Sequence, residues 1–352
     1  TEGGGMMFFR RMTTLGAAAL AAAAMAGPAA AQEITLKLHT FVPPVANPPK
    51  TFLIPWSERI AKASNGRLKV QGYWAMQLGG KAPQLLDQVR DGVVDIVWTL
   101  PGFTPGRMPR VEPFELPFVH KDPLSSTLAL QDFQEKYLLT TDLKDYHPLL
   151  LHVHAGFLFQ TKDPILAMAD LKGKKIRAAS RGGVWLLEAL GATGVGLPLN
   201  EIPPALSKGV IDGVTLPYEI APAVKMQDLV SNFSTLAGPQ PRLGTNVFTF
   251  LMNKDSYAKL PPDLKKVIDD NSGRNIAKWA GQNWAEIEIP GMKVMQSKPK
   301  NKFHTISLAE VDKMKKAAQP VFDRWYAEMK GIGVDGEAMV ADARKMIDKY
   351  SQ

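Results

Sequence analysis

From Ile34 onward the chain alternates between two apolar periods, and this alternation restricts the fold more than any other feature. Ile34-Thr-Leu-Lys-Leu-His39 places apolar residues at every second position, the period of a half-buried strand. Prolines 43, 44, 48 and 49 break it, and residues 52–64 then carry apolar side chains at helical spacing up to the turn pair Asn65-Gly66. A strand at 68–74, a helix at 81–91 closed by Gly92 and a strand at 93–98 follow. The second half repeats the logic: a turn into a strand at 170–177, a helix at 182–190, a strand at 194–197, a helix at 202–209 and a strand at 211–216. Strands alternating with helices predict βαβ units and parallel sheets, an α/β fold.

The intervening segments organise these units. Residues 101–123 are proline-rich loop, and 124–137 read as a helix. The stretch 147–161 is extended and long enough to cross between domains. A strand is expected at 245–252 and one long helix over 261–289, with apolar or aromatic residues at Leu264, Val267, Ile268, Ile276, Trp279, Ala280, Trp284 and Ile287. Helical stretches at about 292–297, 307–330 and 336–350 complete the chain. At roughly 100–200 residues per domain, 352 residues predict two domains. With no flexible linker, the chain is expected to cross between them more than once, which makes a cleft suited to a small ligand.

Residues 8–31 read as an address. Arg10-Arg11 precede an apolar run over 15–25, and Ala29-Ala30-Ala31 supply small residues for cleavage after Ala31. Residues 1–5 stand upstream of Met6. The expectation is export of a chain starting at Gln32.

Composition excludes several chemistries. The chain has no cysteine, so thiolate metal sites, iron–sulfur clusters and cysteine nucleophiles are ruled out. The 42 basic residues against 34 acidic give +8, but they are dispersed without interleaved aromatics, so no nucleic-acid partner is expected. The cluster Lys298-Pro-Lys-Asn-Lys302 reads as an exposed loop. Gly-x-Ser-x-Gly and His-Glu-x-x-His are absent, and Gly79-Gly80-Lys81 lacks the remaining elements of a phosphate loop. His152 and His154 share a strand face without a third ligand, so they read as structural rather than as a metal site. The pairs Glu286/Glu288 and Asp269/Asp270 fall on polar helix faces. No enzymatic constellation, metal or cofactor is expected.

Several segments, taken in order, resemble one family: Leu78-Gly79-Gly80, Leu85-Leu-Asp-Gln-Val-Arg-Asp-Gly-Val-Val-Asp95, Asp170-Leu-Lys-Gly-Lys-Lys-Ile-Arg177, Leu190-Gly191-Ala192 and Ala205-Leu-Ser-Lys-Gly-Val-Ile-Asp-Gly213. Across about residues 33–345 the chain resembles the periplasmic solute-binding proteins of tripartite ATP-independent (TRAP) transporters, of the dicarboxylate-binding type. The resemblance implies a two-lobed, periplasmic-binding-protein-like α/β fold (class II-like) with a long helix spanning both lobes, for which 261–289 is suited. One lobe is expected to comprise 32–154 with about 243–285, the other 155–242 with about 286–352. It also implies a periplasmic protein, taken as a monomer, that captures an organic acid and delivers it to membrane permease subunits. A binding component of an ATP-driven importer or sensor, and an exported lyase or hydrolase, are the competing readings.

In this family the arginine of the Lys-Ile-Arg turn holds the ligand carboxylate, which assigns that role to Arg177. A guanidinium offers two parallel N–H donors to a carboxylate and stays charged, and closing the lobes strengthens the pair as water leaves. Two departures stand out. Many members carry a second arginine between two aromatics, where this chain has Leu158 between Phe157 and Phe159. Many have asparagine where Leu216 precedes Pro217. Both trade polar contacts for apolar surface, and unpaired buried polar groups cost about 1–3 kcal/mol each. The ligand is therefore expected to be an aromatic or otherwise apolar monocarboxylate, 2-oxo and 2-hydroxy acids included. Trp74, Trp98, Phe103, Phe157, Trp185, Leu216 and Tyr218 are the candidate apolar wall. Thr99, Ser180, Arg181, Glu219 and Asn246 are the candidate polar contacts, with Arg181 a possible replacement for the missing second cation.

Overall fold

The computed structural model describes Thr1, residues 33–239 and residues 241–351. The leader at 8–31 and its cleavage point lie outside the described residues.

The strands assemble into two sheets. The first contains β1 (Ile34–Thr40), β2 (Leu68–Tyr73), β3 (Ile96–Thr99), β4 (Tyr146–Val153) and β10 (Val247–Asn253), in the order β2-β1-β3-β10-β4. The second contains β5 (Leu158–Thr161), β6 (Lys175–Ala178), β7 (Thr193–Gly196), β8 (Gly213–Leu216), β9 (Asn232–Leu236) and β11 (Lys302–Ile306), in the order β11-β9-β5-β8-β6-β7. This is an α/β fold of two lobes. The chain passes from the first sheet to the second between β4 and β5, returns between β9 and β10, and leaves again before β11.

Helices α1 (Ile54–Ala63), α2 (Leu85–Arg90) and α3 (Pro123–Tyr137) accompany the first sheet. The second sheet takes α4 (Arg181–Ala189), α5 (Ile202–Ser207) and α6 (Met226–Leu229). The α3 start is fixed locally: Pro123 sits in the first turn, where a missing N–H is harmless, and the Asp122 carboxylate accepts from Ser125 N at 2.8 Å.

The expected single helix over 261–289 is instead segmented. After the short α7 (Lys254–Ala258) come α8 (Pro262–Asp270), α9 (Arg274–Glu286) and α10 (Glu288–Gln296). Asn271-Ser272-Gly273 stops α8, and Gly273 adopts φ +52°, a conformation that suits residues lacking a Cβ. α9 packs on α3 and β4, whereas α10 packs on α6 and the turn before it, so this helical run still bridges the lobes. The stretch 307–330 also divides, at Ala318 before Pro320, into α11 (Leu308–Ala317) and α12 (Gln319–Gly331). The last helix, α13 (Gly336–Tyr350), lies on α3, with Lys349 and Tyr350 bonded to Asp132 and Tyr137 bonded to Asp342. The C-terminal helix thus sits beside the first sheet, not the second as expected. Among the described residues no helix is long and apolar enough to cross a membrane.

Sheet direction positions the site. β1 and β3 run parallel and β10 antiparallel to them, with Thr40 opposite Trp98 and Thr249 opposite Thr99. Phe41, Trp98 and Phe248 therefore gather at one end of three adjacent strands. In the second sheet β6, β7 and β8 are parallel and end at Ala178, Gly196 and Leu216. Both lobes direct the carboxyl ends of parallel strands at the cleft, the usual ligand position in open α/β sheets.

Candidate functional site

A small cavity of about 40 Å³ lies between the strand ends, in the cleft where two-lobed proteins bind small molecules. The first lobe lines it with aromatic rings. Trp98 stacks on Phe248 with centroids 4.5 Å apart and planes 13° from parallel, and on Phe41 at 5.6 Å and 12°. Phe103 meets Phe41 edge-on at 5.0 Å. These rings stack on one another and present a continuous apolar wall to the cavity. Trp98 is fixed from behind, its Nε1–H donating to His152 Nε2 at 2.8 Å. His152 is fully buried, which pulls its pKa down to about 3 and leaves a neutral ring able to accept that bond.

The second lobe contributes the cation. Arg177 lies in β6 beside Val195 of β7 and Val214 of β8, and it is 2% exposed. Its Nε donates to Leu197 O at 2.8 Å, while Thr215 Oγ1 donates to its own carbonyl at 3.1 Å. Among the described residues no carboxylate pairs with this guanidinium. Burial pulls its pKa down to about 9, with no neighbouring charge opposing the effect, and it remains a cation at neutral pH. An uncompensated buried charge costs several kcal/mol, so the arrangement favours an anion entering from the cavity.

A polar hinge of side chains joins the lobes beside it. Asn246 Nδ2 donates to Ser180 Oγ at 3.1 Å, and its Oδ1 lies 3.4 Å from His154 Nε2. His154 Nδ1 accepts from Gly156 N at 2.8 Å, so the neutral ring carries its proton on Nε2 and donates it to Asn246. Burial holds His154 neutral, with a pKa pulled down to about 3. Glu115 accepts from Val247 N at 2.8 Å, and burial pushes its carboxyl up to about 7.

The structure brings Trp98, Phe103, Arg177, Leu216, Glu219 and Asn246 together around the cavity. Ser180, Arg181 and Trp185 line a wider opening of about 620 Å³ next to it instead. Ser180 caps α4. Arg181 is engaged by Glu112 and Glu328, so it does not supply the second ligand cation expected of it. Trp185 is covered by Arg181 and Arg324, whose guanidinium carbons lie 5.0 and 4.1 Å from its ring centre. The other four candidates lie elsewhere. Thr99 follows Trp98 on β3 and so points to the opposite face. Trp74 folds back over Gly72 as the chain turns through Ala75 and Met76, both at positive φ. Phe157 is buried at the lobe crossing, bridged to Gly244. The Tyr218 ring packs on Phe233 with Arg242 over it. Phe41, Phe248, His154, Thr215 and Ile220 line the cavity but were not singled out from sequence as ligand contacts.

Two α/β lobes closed over an unpaired buried arginine define a cleft-type solute-binding protein. The chain belongs to the bacterial extracellular solute-binding protein family 7, whose model matches residues 41–329. Its solved neighbours include a marine-metagenome TRAP solute-binding protein specific for aromatic acid ligands, in complex with 3-hydroxybenzoate. The two are 44% identical with a TM-score of 0.89, over 91% of this chain and 100% of that one. A TRAP solute-binding protein from Rhodoferax ferrireducens, in complex with copurified benzoate, is 41% identical with a TM-score of 0.88, over 90% and 98%. Among curated relatives, the outer membrane transporter protein TsaT of Comamonas testosteroni is 28% identical over 310 residues, 87% of this chain and 90% of that one. These findings agree with the resemblance to TRAP binding proteins read from the sequence. The family is one of transport binding proteins.

Proposed function

We propose that the protein captures an aromatic monocarboxylate between its lobes, with the Arg177 guanidinium on the carboxylate and the ring against the aromatic wall of Phe41, Trp98, Phe103 and Phe248. The observation that carries this reading is a guanidinium buried at the cavity with no carboxylate partner among the described residues. The aromatic acids held by the two solved neighbours support it. A planar acid meets both requirements at once: its anionic end compensates the buried cation, and its ring displaces water from the apolar wall at about 25 cal/mol per Å².

In this reading the protein is exported to the periplasm after cleavage near Ala31, acts as a monomer without turnover, and hands its ligand to TRAP permease subunits. The lobes are residues 32–154 with about 243–285, and 155–242 with 286–331, with α13 strapped back onto the first. Calorimetric titration tests the ligand class. Benzoate and mandelate are expected to bind, with succinate and galactonate at least roughly 100-fold weaker because their second polar ends lack partners. Tighter binding of the dicarboxylate or sugar acid would overturn the assignment, and conversion of bound acid to a new mass would overturn the non-catalytic reading.

A further inference from the structure

We infer that Glu219 reads a hydroxyl group on the ligand's ring and gives this protein a preference for hydroxy-substituted aromatic acids over the unsubstituted ring. The inference rests on the aromatic-acid reading above.

Glu219 lines the same cavity as Arg177 and is 2% exposed, and its Oε2 is buried without a hydrogen-bond partner among the described residues. The other polar side chains of the lining are engaged. Thr215 donates to the Arg177 carbonyl, Asn246 bonds Ser180 and His154, and His154 uses both ring nitrogens. Glu219 is placed apart from Arg177: the arginine stands within β6 beside Val214, whereas Glu219 lies in the turn beyond the carboxyl end of β8. One anionic ligand can therefore meet the cation at one point and the carboxyl at another.

The turn that carries Glu219 is held firmly. Its N–H donates to Glu288 Oε2 at 2.9 Å, and its carbonyl accepts from Asn47 Nδ2 at 2.7 Å. Gly291 of α10 packs so closely that a Cβ there would stand 2.1 Å from Tyr218 O. The nearby cation, Arg242, is taken by Glu288 at 3.1 Å, leaving Glu219 without a counter-charge. Burial and the charge of Glu288 both keep the proton on Glu219. A neutral carboxyl offers one donor and one acceptor, the complement of a phenol or alcohol, and does not repel the ligand's carboxylate. A site built to bond a hydroxyl discriminates against the analogue lacking it, because its own buried polar group is then left unpaired.

The test compares benzoate with 2-, 3- and 4-hydroxybenzoate by calorimetry on wild type, Glu219→Gln and Glu219→Leu. Wild type is expected to bind one hydroxy isomer about tenfold or more tighter than benzoate. The amide of Glu219→Gln also donates and accepts, so the preference survives within about threefold, whereas Glu219→Leu brings the hydroxybenzoate-to-benzoate affinity ratio near one. Infrared difference spectra on wild type give an independent readout. The protonated-carboxyl carbonyl band should shift with the preferred hydroxybenzoate and not with benzoate, and the shift should vanish in Glu219→Gln. Wild type showing no hydroxyl preference, Glu219→Leu retaining one, or an unmoved carboxyl band would each overturn the inference. If wild type binds none of these acids, the aromatic-acid reading itself falls and takes this inference with it.

Discussion

Arg181, at the start of α4, clasps Glu112 of the loop after β3 through two parallel bonds, Nε to Oε1 at 2.8 Å and Nη2 to Oε2 at 2.7 Å. The pair joins a residue that follows the second sheet's β6 to one that follows the first sheet's β3, and its side chains are only 17% and 14% exposed. Hinge opening would have to separate them, so the bond belongs to the closed form. Glu112→Gln is expected to shift the equilibrium toward open and weaken ligand affinity about three- to tenfold without abolishing binding. Calorimetry with small-angle scattering of the ligand-free protein checks this.

The Trp98–His152 bond sets up a stability prediction. Trp98→Phe keeps an aromatic ring against Phe248 but removes the Nε1–H that satisfies His152 Nε2. A fully buried acceptor left unpaired costs about 1–3 kcal/mol, so the midpoint of chemical denaturation should fall accordingly. The predicted loss of stability should exceed any loss of affinity, since an aromatic ring still completes the wall.

Stability should also depend on pH through Glu115. Its carboxyl ordinarily titrates near 4.5, and burial in the fold raises it to about 7. Between these values the folded protein keeps a proton that the unfolded chain has released, so this group's contribution falls as pH rises through that window and is fully present below it. Buried His120, with a pKa lowered to about 4, works in the opposite sense, its contribution being lost as pH falls from 6.5 toward 4. Subtracting the Glu115→Gln profile from wild type isolates the carboxyl. The variant should gain on wild type by up to about 3 kcal/mol between pH 4.5 and 7 in denaturation experiments.

Much of the fold was readable because its signals are local. The βα alternation yields β1 to β3 and β6 to β8 nearly in place, and the Lys-Ile-Arg strand delivers Arg177 to the cavity. What escaped was set by distant partners or weak patterns. β11 begins inside the lysine cluster at Lys302 and is an edge strand with exposed Lys302 and Phe303, so it carries little apolar alternation. β9 is a five-residue strand of mixed polarity. Asn271-Ser272-Gly273 signals a break, yet apolar spacing continues across it on both sides. Arg181 reads as a free cation from sequence because Glu112 lies 69 positions earlier. Phe41 and Phe248 had a usable signal: each stands at the strand end where open α/β sheets bind ligands, but that rule needs the strand order, which sequence did not supply.

The central claim is that Arg177 holds the ligand's carboxylate, and titration of Arg177→Met and Arg177→Lys with benzoate tests it most directly. The methionine variant removes the charge and should lose at least about 100-fold in affinity, while lysine restores charge without the planar fork and should remain at least about tenfold weaker than wild type. Both variants binding benzoate within twofold of wild type would contradict the account.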